Sequence, residues 1–242
     1  QRDLHGILNG LDYDEWNPDA DPRLAAPYSL ADMSRREENR RALQAAVGLP
    51  QLANIPILGM VTRLDWQKGM DIVGHALHLL MNGYSGPAQF VVLGTGASHY
   101  EDMFRQMAGY HREKMSAYIG YHAELAPLIY AGSDIFLMPS LFEPCGLGQM
   151  IAMRYGSVPI VRATGGLADT VQDGITGYSF YDFNADALFD AIQRATYTYN
   201  TDRDSWGRIQ ANGMETNFSW ERSAQGYQQL YTWALAQMHY HG

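Results

Sequence analysis

The feature that most constrains the fold of this chain is a regular alternation of short apolar runs with helical segments. Apolar runs bounded by Gly, Pro or charged residues predict strands at 57–62, 89–93, 117–121, 135–139 and 158–162. Helical segments lie between them at 70–81, 100–114, 125–130 and 147–155. Short apolar strands separated by helices are typical of a parallel sheet that is covered on both faces. The sequence therefore predicts an α/β fold.

The two ends of the chain have a different pattern. Residues 1–30 are rich in Asp, Pro, Asn and Gly, which predicts a strand end followed by a long connecting segment. Ser34 and Glu37 have the spacing of a capping box, which predicts the start of a helix. We expect that helix to run to about Val47, with Gly48 as its stop. Three consecutive helices are predicted near the C-terminus, at 185–198, 203–217 and 220–239.

Composition and charge exclude several classes of protein. Hydrophobic residues make up 46% of the 242 residues and charged residues 18%, which is typical of a globular chain. A net charge of −9 argues against a nucleic-acid partner, because phosphate contacts need a basic surface. No apolar run approaches the roughly 20 residues that span a bilayer, so no membrane partner is expected. Cys145 is the single cysteine, which excludes an internal disulfide, and the start at Gln1 rather than Met suggests a piece of a longer protein.

Two cations follow the first predicted strand. Arg63 and Lys68 both lie in the loop 61–69, between that strand and the next helix. Right-handed crossovers place all such loops at the edge of the sheet where α/β folds bind ligands. The planar fork of Arg and the point charge of Lys can together hold a diphosphate. The alternative is a solvated loop with two unrelated charges.

A second loop at the same edge combines a carboxylate with glycines. Glu143 comes just after a predicted strand, and Gly146 and Gly148 open the next helix. Small residues there let an anion approach the free backbone N–H groups and the positive end of the helix dipole. A carboxylate at this position can accept hydrogen bonds from sugar hydroxyls, or it can simply complement the helix dipole. Cys145 is expected to be a small buried hydrophobe.

A third loop, 162–169, also runs from a strand end to a helix start. Its adjacent glycines, Gly165 and Gly166, suit a tight turn that a ligand can approach closely. An ordinary turn without a ligand is the alternative.

Together these loops resemble the bacterial glycogen synthase and plant starch synthase family. The matching segments are, in chain order, HGILNGLD (5–12), VTRLDWQKG (61–69), LGTG (93–96), GYHAE (120–124), FEPCGLGQ (142–149) and TGGLADTV (164–171). The resemblance implies the C-terminal half of a GT-B glycosyltransferase, a Rossmann-like parallel sheet with helices on both faces plus C-terminal helices. It divides the chain into an interdomain connection (1–30), a nucleotide-sugar-binding domain (31–217) and a final helix (218–242). That helix would pack on an N-terminal domain, so its residues Tyr227, Leu230, Tyr231 and Ala234 are expected to be partly uncovered.

The resemblance also implies a reaction, the transfer of glucose from ADP-glucose to the non-reducing end of an α-1,4-glucan with retention of configuration. Arg63 and Lys68 would contact the diphosphate, and Glu143 would hold glucose hydroxyls. The residues implied in nucleotide-sugar binding are Asn9 (glucose), Tyr121 (stacking on adenine), Cys145, Gly146, Leu147, Gly148, Thr164 and Gly165. Gly148 stands where the family has Thr or Ser, which keeps the backbone donors but removes a hydroxyl. Neither a metal nor another cofactor is expected.

Several alternatives remain open on the sequence. The donor is a UDP- or GDP-sugar in one of them, because stacking on Tyr121 tolerates different bases. In another, the chain binds a nucleotide without turnover, since the reaction takes place between two domains. A dinucleotide oxidoreductase fits poorly, because Gly94 and Gly96 are not followed by the third glycine of that fingerprint. The resemblance implies a bacterial cytoplasm, or a plastid if the source is a plant or alga.

Overall fold

Parallel strands build a single six-stranded sheet. The computed structural model describes residues 4–240, with the side chains of residues 4–237. The strands are β1 (Ile57–Val61), β2 (Gln89–Gly94), β3 (Met115–Ile119), β4 (Ile135–Met138), β5 (Val158–Arg162) and β6 (Tyr178–Phe180). Their order across the sheet is β3-β2-β1-β4-β5-β6, and every neighbouring pair is parallel. This is the doubly wound order of the Rossmann fold, in which the direction of winding reverses between β1 and β4.

Helices connect the strands and cover both faces of the sheet. They are α1 (Arg36–Ala46), α2 (Met70–Met81), α3 (Ser98–Tyr110), α4 (Leu125–Gly132), α5 (Gly148–Arg154), α6 (Gly165–Thr170), α7 (Ala185–Thr201), α8 (Arg203–Glu215) and α9 (Trp220–Tyr240). A short 3-10 helix, Trp66–Lys68, precedes α2. The predicted alternation of strands and helices is therefore confirmed.

A hydrophobic core lies on each face of the sheet, because alternate side chains of each strand point to opposite faces. Phe90 and Val92 of β2 belong to the core formed with α2, α3 and α7. Val91 and Leu93 of the same strand belong to the core formed with α1, α4 and α5. Successive side chains of a strand point to opposite faces, so a strand buried on both sides must be apolar at every position. This explains the continuous apolar runs in the sequence.

The start of α1 differs from the predicted capping box. Ser34 is not the N-cap, because the helix begins at Arg36 and its N-cap residue Arg35 makes no side-chain capping bond. The Ser34 N–H instead donates to the Asp32 carboxylate at 3.0 Å. An aspartate two residues upstream forms such a turn readily, and here it competes successfully with the helix start.

The end of α1 is as predicted. Gly48 lies just beyond the helix with a φ of +72°, in the left-handed region that glycine adopts without strain. The Leu49 N–H donates to the Gln44 carbonyl at 2.8 Å, and the Gly48 N–H donates to the Ala45 carbonyl at 3.3 Å. These two bonds form a Schellman motif, which satisfies the carbonyls at the helix end.

Two strands differ from the sequence prediction by more than one residue at an end. β3 pairs Met115 with Phe90 and ends at Ile119, two residues earlier than expected, so Tyr121 lies in the loop beyond the strand. β6 was not predicted, because its three residues, Tyr178–Phe180, are too few to give a readable pattern.

The N-terminal segment runs beside the beginning of α9. The Leu11 N–H donates to the Phe218 carbonyl at 2.6 Å, and the Ser223 hydroxyl donates to the Leu8 carbonyl at 2.8 Å. Farther along α9, Tyr231 and Leu235 are 65% and 59% exposed. Tyr227 and Ala234 are also exposed and Leu230 is half-buried, so the expected uncovered face is present. Within residues 4–240, no helix combines the length and apolarity that crossing a membrane requires.

Candidate functional site

The loops that follow β1 and β4 meet at the carboxyl edge of the sheet. The Leu141 N–H donates to the Gln67 carbonyl at 2.8 Å and joins the two loops directly. Gly69 packs so closely on the second loop that a Cβ placed there would lie 2.2 Å from the Pro139 carbonyl oxygen. These loops flank the point where the winding of the sheet reverses, which is where open α/β sheets bind ligands.

An ion pair joins the two loops. Lys68 Nζ lies 2.5 Å from Glu143 Oε2, and the two side chains are only 17% and 10% exposed. The Asp65 carboxylate accepts from the Lys68 N–H at 3.0 Å and so caps the short helix that carries Lys68. The Ser140 hydroxyl donates to the Glu143 carboxylate at 3.3 Å. A cation and a hydrogen-bond acceptor are thus held side by side, as a ligand with an anionic and a hydroxylated part would require.

Glycines bring the third predicted loop against the second. The Gly166 N–H donates to the Glu143 carbonyl at 3.0 Å. A Cβ on Gly165 would lie 2.2 Å from that same carbonyl oxygen, and one on Gly166 would lie 2.4 Å from the Cys145 carbonyl oxygen. Both positions therefore need glycine for the close approach of two backbones. Thr164 precedes α6 as its N-cap residue but makes no side-chain capping bond.

The turn before α5 is held from inside by a glutamine. Gln149 is fully buried, and its amide nitrogen donates to the carbonyls of Cys145 and Gly146 at 3.1 and 3.0 Å. Cys145 packs against the hydrophobic core but is half-buried rather than buried as expected, while Leu147 is 45% exposed. α5 begins at Gly148, and the first N–H groups of a helix have no partner within it. Sequence reasoning missed Gln149, although a polar residue among the apolar side chains of α5 is a signal for such a role.

Arg63 and Tyr121 lie beside a neighbouring cavity. This cavity has a volume of about 410 Å³, lies at the carboxyl ends of β1, β2 and β3, and is also lined by Trp16. The Arg63 side chain is 68% exposed and forms an ion pair with Asp65 at 3.1 Å. Tyr121 is 88% exposed. The structure therefore places a cation and an aromatic ring together, next to the loop that carries Lys68.

Asn9 lies apart from the other predicted residues. It is exposed and lines a separate cavity of about 340 Å³, together with Asp169 of α6 and Asn217. The structure does not bring Asn9 into the cavity that Arg63 and Tyr121 share.

Two exposed aromatic rings from the loops that carry Lys68 and Glu143 pack against each other, and sequence reasoning did not select them. Trp66 is 55% exposed and Phe142 is 45% exposed, and their ring centroids are 5.8 Å apart. Each is near a charged residue in sequence, with Trp66 two positions before Lys68 and Phe142 one position before Glu143.

No group of three or more His, Cys, Asp or Glu side chains that is placed to hold a metal ion occurs in the part of the chain that the structure describes.

The fold and the site first define a class, namely a Rossmann-like domain whose carboxyl edge suits a ligand with anionic and hydroxylated parts. Residues 50–208 match the family model described as glycosyl transferases group 1. The glycogen synthase of Desulforudis audaxviator is 47% identical over 239 residues, which are 96% of this chain and 47% of that protein. The chain thus spans about half the length of the curated relatives it matches.

Solved structures agree with these sequence matches. The catalytic domain of starch synthase IV from Arabidopsis thaliana, bound to ADP and acarbose, superposes with a TM-score of 0.88 at 38% identity. The match covers 96% of this chain and 49% of that one. The C-terminal domain of a group 1 glycosyl transferase from Francisella tularensis shares the fold, with a TM-score of 0.62 at 18% identity over 85% of this chain and 95% of that one. The chain therefore belongs to the group 1 glycosyl transferases, and within them to the glycogen synthase family as its C-terminal GT-B domain, which confirms the predicted fold class and family.

Proposed function

We propose that this chain is the nucleotide-sugar-binding half of an enzyme that transfers glucose from ADP-glucose to the non-reducing end of an α-1,4-glucan with retention of configuration. The ion pair between Lys68 and Glu143 is the observation that carries this proposal. It presents one group for a diphosphate and one for sugar hydroxyls at the point where such folds bind ligands. The names of the relatives, glycogen synthase and starch synthase, support the same reaction.

In this mechanism, Lys68 and Arg63 act on the leaving group. The bond between the anomeric carbon and the diphosphate oxygen breaks, and its electron pair leaves with ADP. The 4-hydroxyl of the acceptor forms the new bond to the same face of the sugar and gives its proton to the departing phosphate oxygen. Negative charge grows on the departing phosphate, so fixed cations stabilise the transition state more than the ground state.

Glu143 and the neighbouring backbone would hold the sugar and the phosphates. The Glu143 carboxylate accepts hydrogen bonds from glucose hydroxyls once Lys68 has turned to the diphosphate. The N–H groups of Leu147 and Gly148, at the start of α5, would meet the distal phosphate. Cys145, Gly146, Thr164 and Gly165 would shape the turns that let the phosphates approach.

Tyr121 and Arg63 support a nucleotide site next to the ion pair. The adenine would stack on the exposed Tyr121 ring, in the cavity that Arg63 also lines. Stacking alone does not choose between bases, so the ADP donor rests on the relatives rather than on Tyr121. Asn9 lines a separate cavity, so it would contact the glucose only if the sugar extends from the Lys68–Glu143 pair toward that cavity.

The residues that bind the acceptor glucan would come from a second domain. The relatives are about twice as long as this chain, and α9 carries exposed apolar residues such as Tyr231 and Leu235. We propose that an N-terminal domain covers this face and completes the cleft. Positioning two substrates between domains contributes about 7–11 kcal/mol to catalysis in favourable cases, so turnover should need both halves.

The test replaces Lys68 in the full-length enzyme. Lys68→Ala is expected to lower kcat about 100- to 1000-fold, the usual cost of losing one group that stabilises transition-state charge. KM for ADP-glucose should rise far less, because that charge develops only as the bond breaks. Initial rates of glucan elongation measure both parameters.

The control is Lys114→Ala. Lys114 donates to the Met81 carbonyl at 2.9 Å, at the amino end of β3 and away from the site, so its loss should leave the kinetics unchanged. Equal turnover in Lys68→Ala and the parent would remove Lys68 from the mechanism. Dissociation constants for ADP, UDP and GDP test the donor, and a clear preference for UDP would overturn the choice of ADP-glucose.

A further inference from the structure

An arginine at the end of β5 reaches across to the loop that carries Glu143. Arg162 Nη1 donates to the Leu141 carbonyl at 2.5 Å, and Arg162 Nε donates to the Tyr181 carbonyl at 3.0 Å. The Leu141 N–H is bonded on its other side to the Gln67 carbonyl at 2.8 Å. Leu141 therefore ties together the loops that follow β1, β4 and β5.

These bonds fix the backbone on both sides of the carboxylate. Arg162 holds the carbonyl of Leu141, two residues before Glu143, and the Gly166 N–H holds the carbonyl of Glu143 itself. The position of the Glu143 side chain depends on both anchors. Without Arg162, the Leu141 carbonyl would lose its tie to β5, and the loop before Glu143 would be held only toward the loop after β1, through the Leu141 N–H.

The geometry requires an arginine rather than another cation. The guanidinium is planar and directs separate N–H groups at two carbonyls that belong to different loops. The Phe183 ring lies 5.7 Å from the guanidinium carbon and limits where it can move. A lysine ammonium is a single point and cannot keep both carbonyl bonds at once.

We propose that Arg162 is a positioning residue, which sets the place of Glu143 through the Leu141 carbonyl and so determines how the enzyme binds the sugar of its donor. This inference rests on the proposed function, in which Glu143 holds glucose hydroxyls while Lys68 and Arg63 hold the diphosphate. Loss of Arg162 should therefore affect binding of the glucose part much more than binding of ADP.

The experiment compares Arg162→Met and Arg162→Lys with the parent in the full-length enzyme. Calorimetric titrations give the dissociation constants for ADP and for ADP-glucose, and elongation assays give kcat and KM. The Arg162→Met variant should bind ADP as the parent does, should lose the parent's preference for ADP-glucose over ADP, and should lower kcat/KM about 10- to 100-fold, as expected for a displacement of about 1 Å. Arg162→Lys should recover part of this loss.

Arg194→Met is the matched control. Arg194 also donates to a backbone carbonyl, that of Ser179 at 2.7 Å, but it joins α7 to β6 and does not contact the loop that carries Glu143. Its replacement should lower the melting temperature without changing the ratio of the two dissociation constants. The double variant Glu143→Gln with Arg162→Met should bind ADP-glucose no more weakly than Glu143→Gln alone, because the two residues act through one contact.

Each result separates the inference from the proposed function. If the parent neither binds nor uses ADP-glucose, the proposed function fails and the inference fails with it. If the parent is active and Arg162→Met changes only the melting temperature, Arg162 is merely structural. A variant that weakens ADP and ADP-glucose equally, or whose effect multiplies with that of Glu143→Gln, would also overturn the inference.

Discussion

Replacing Gly69 by Ala tests the contact that holds Lys68 against Glu143. Gly69 has a φ of +84°, and a Cβ there would lie 2.2 Å from the carbonyl oxygen and 2.9 Å from the carbonyl carbon of Pro139. Both atoms belong to the backbone, so no side-chain rotation can relieve the overlap. Gly83, at the other end of α2, provides the matched control, because its φ is +85° and its Cβ would have nothing within 4 Å.

The comparison isolates the cost of the contact. Both Ala variants carry the strain of a left-handed backbone, which is roughly 1–2 kcal/mol per residue. Only Gly69→Ala adds overpacking, which costs about 1–3 kcal/mol when the surroundings must shift. The free energy of unfolding should therefore fall by about 2–5 kcal/mol for Gly69→Ala and by about 1–2 kcal/mol for Gly83→Ala.

Urea unfolding at pH 7 measures both variants, and thermal unfolding should agree. For a chain of this size, the difference between them corresponds to about 2–12 °C in Tm, at 2–4 °C per kcal/mol. Gly69→Ala should also weaken ADP-glucose binding, because Lys68 is its chain neighbour, whereas Gly83→Ala should not. If the two variants unfold within about 0.5 kcal/mol of each other, the packing of Gly69 on Pro139 contributes nothing measurable to stability and does not hold the loop that carries Lys68 in place.

Two further predictions concern carboxylates. Glu143→Gln should tighten ADP binding about two- to fivefold, because it frees Lys68 from an ion pair whose attraction is largely offset by the desolvation of both charges, and should weaken ADP-glucose binding; parallel weakening of both ligands would contradict this. Burial raises the pKa of the Asp21 carboxyl, but hydrogen bonds from Arg23 and Tyr155 outweigh burial and the pKa lies below its usual value. Because the folded state has the lower pKa, Asp21 stabilises the fold fully above about pH 4 and loses this effect as the pH falls through the folded pKa. Asp21→Asn should therefore cost more stability at pH 7 than at pH 3 in urea titrations, and an equal cost at both would exclude this linkage.

The sequence predicted the elements whose pattern is local. The strands around Leu58, Val91 and Val161 are apolar at nearly every position, and this pattern by itself indicates burial on both faces. The end of α1 at Gly48 was predictable for the same reason, because the motif lies within a few residues. The boundaries of β3 could not be predicted in this way, because the pairing of Met115 with Phe90 depends on the neighbouring strand, β2.

The candidate site was predictable in its location but not in its pairings. The rule that strand-to-helix loops share one edge was enough to bring Lys68 and Glu143 together. The rule did not indicate that Lys68 pairs with Glu143 while Arg63 pairs with Asp65, because these partners depend on the backbone path of two loops. The anchors Gln149 and Arg162 bind main-chain carbonyls, and no pattern of residue types reveals which carbonyl a side chain will reach.

The charges at the two edges of the sheet are satisfied in different ways, and the contrast supports a ligand at the carboxyl edge. At the amino edge, the Asp134 carboxylate contacts Arg40 and accepts from the Ile57 N–H at 2.8 Å, so its bonds all lie within the fold.

At the carboxyl edge, the Glu143 carboxylate makes polar contacts only with Lys68 and the Ser140 hydroxyl among the described residues, and the Lys68 ammonium makes one only with Glu143. Each group can therefore exchange its partner. An ion pair so poorly supported adds little to stability, because the cost of desolvating both charges offsets their attraction. A donor with a diphosphate and a sugar would replace both halves of the pair at once, whereas ADP alone would leave the Glu143 carboxylate without its cation. In the proposed function, this pair would therefore favour the complete donor over the nucleotide product, which would help ADP to leave after transfer.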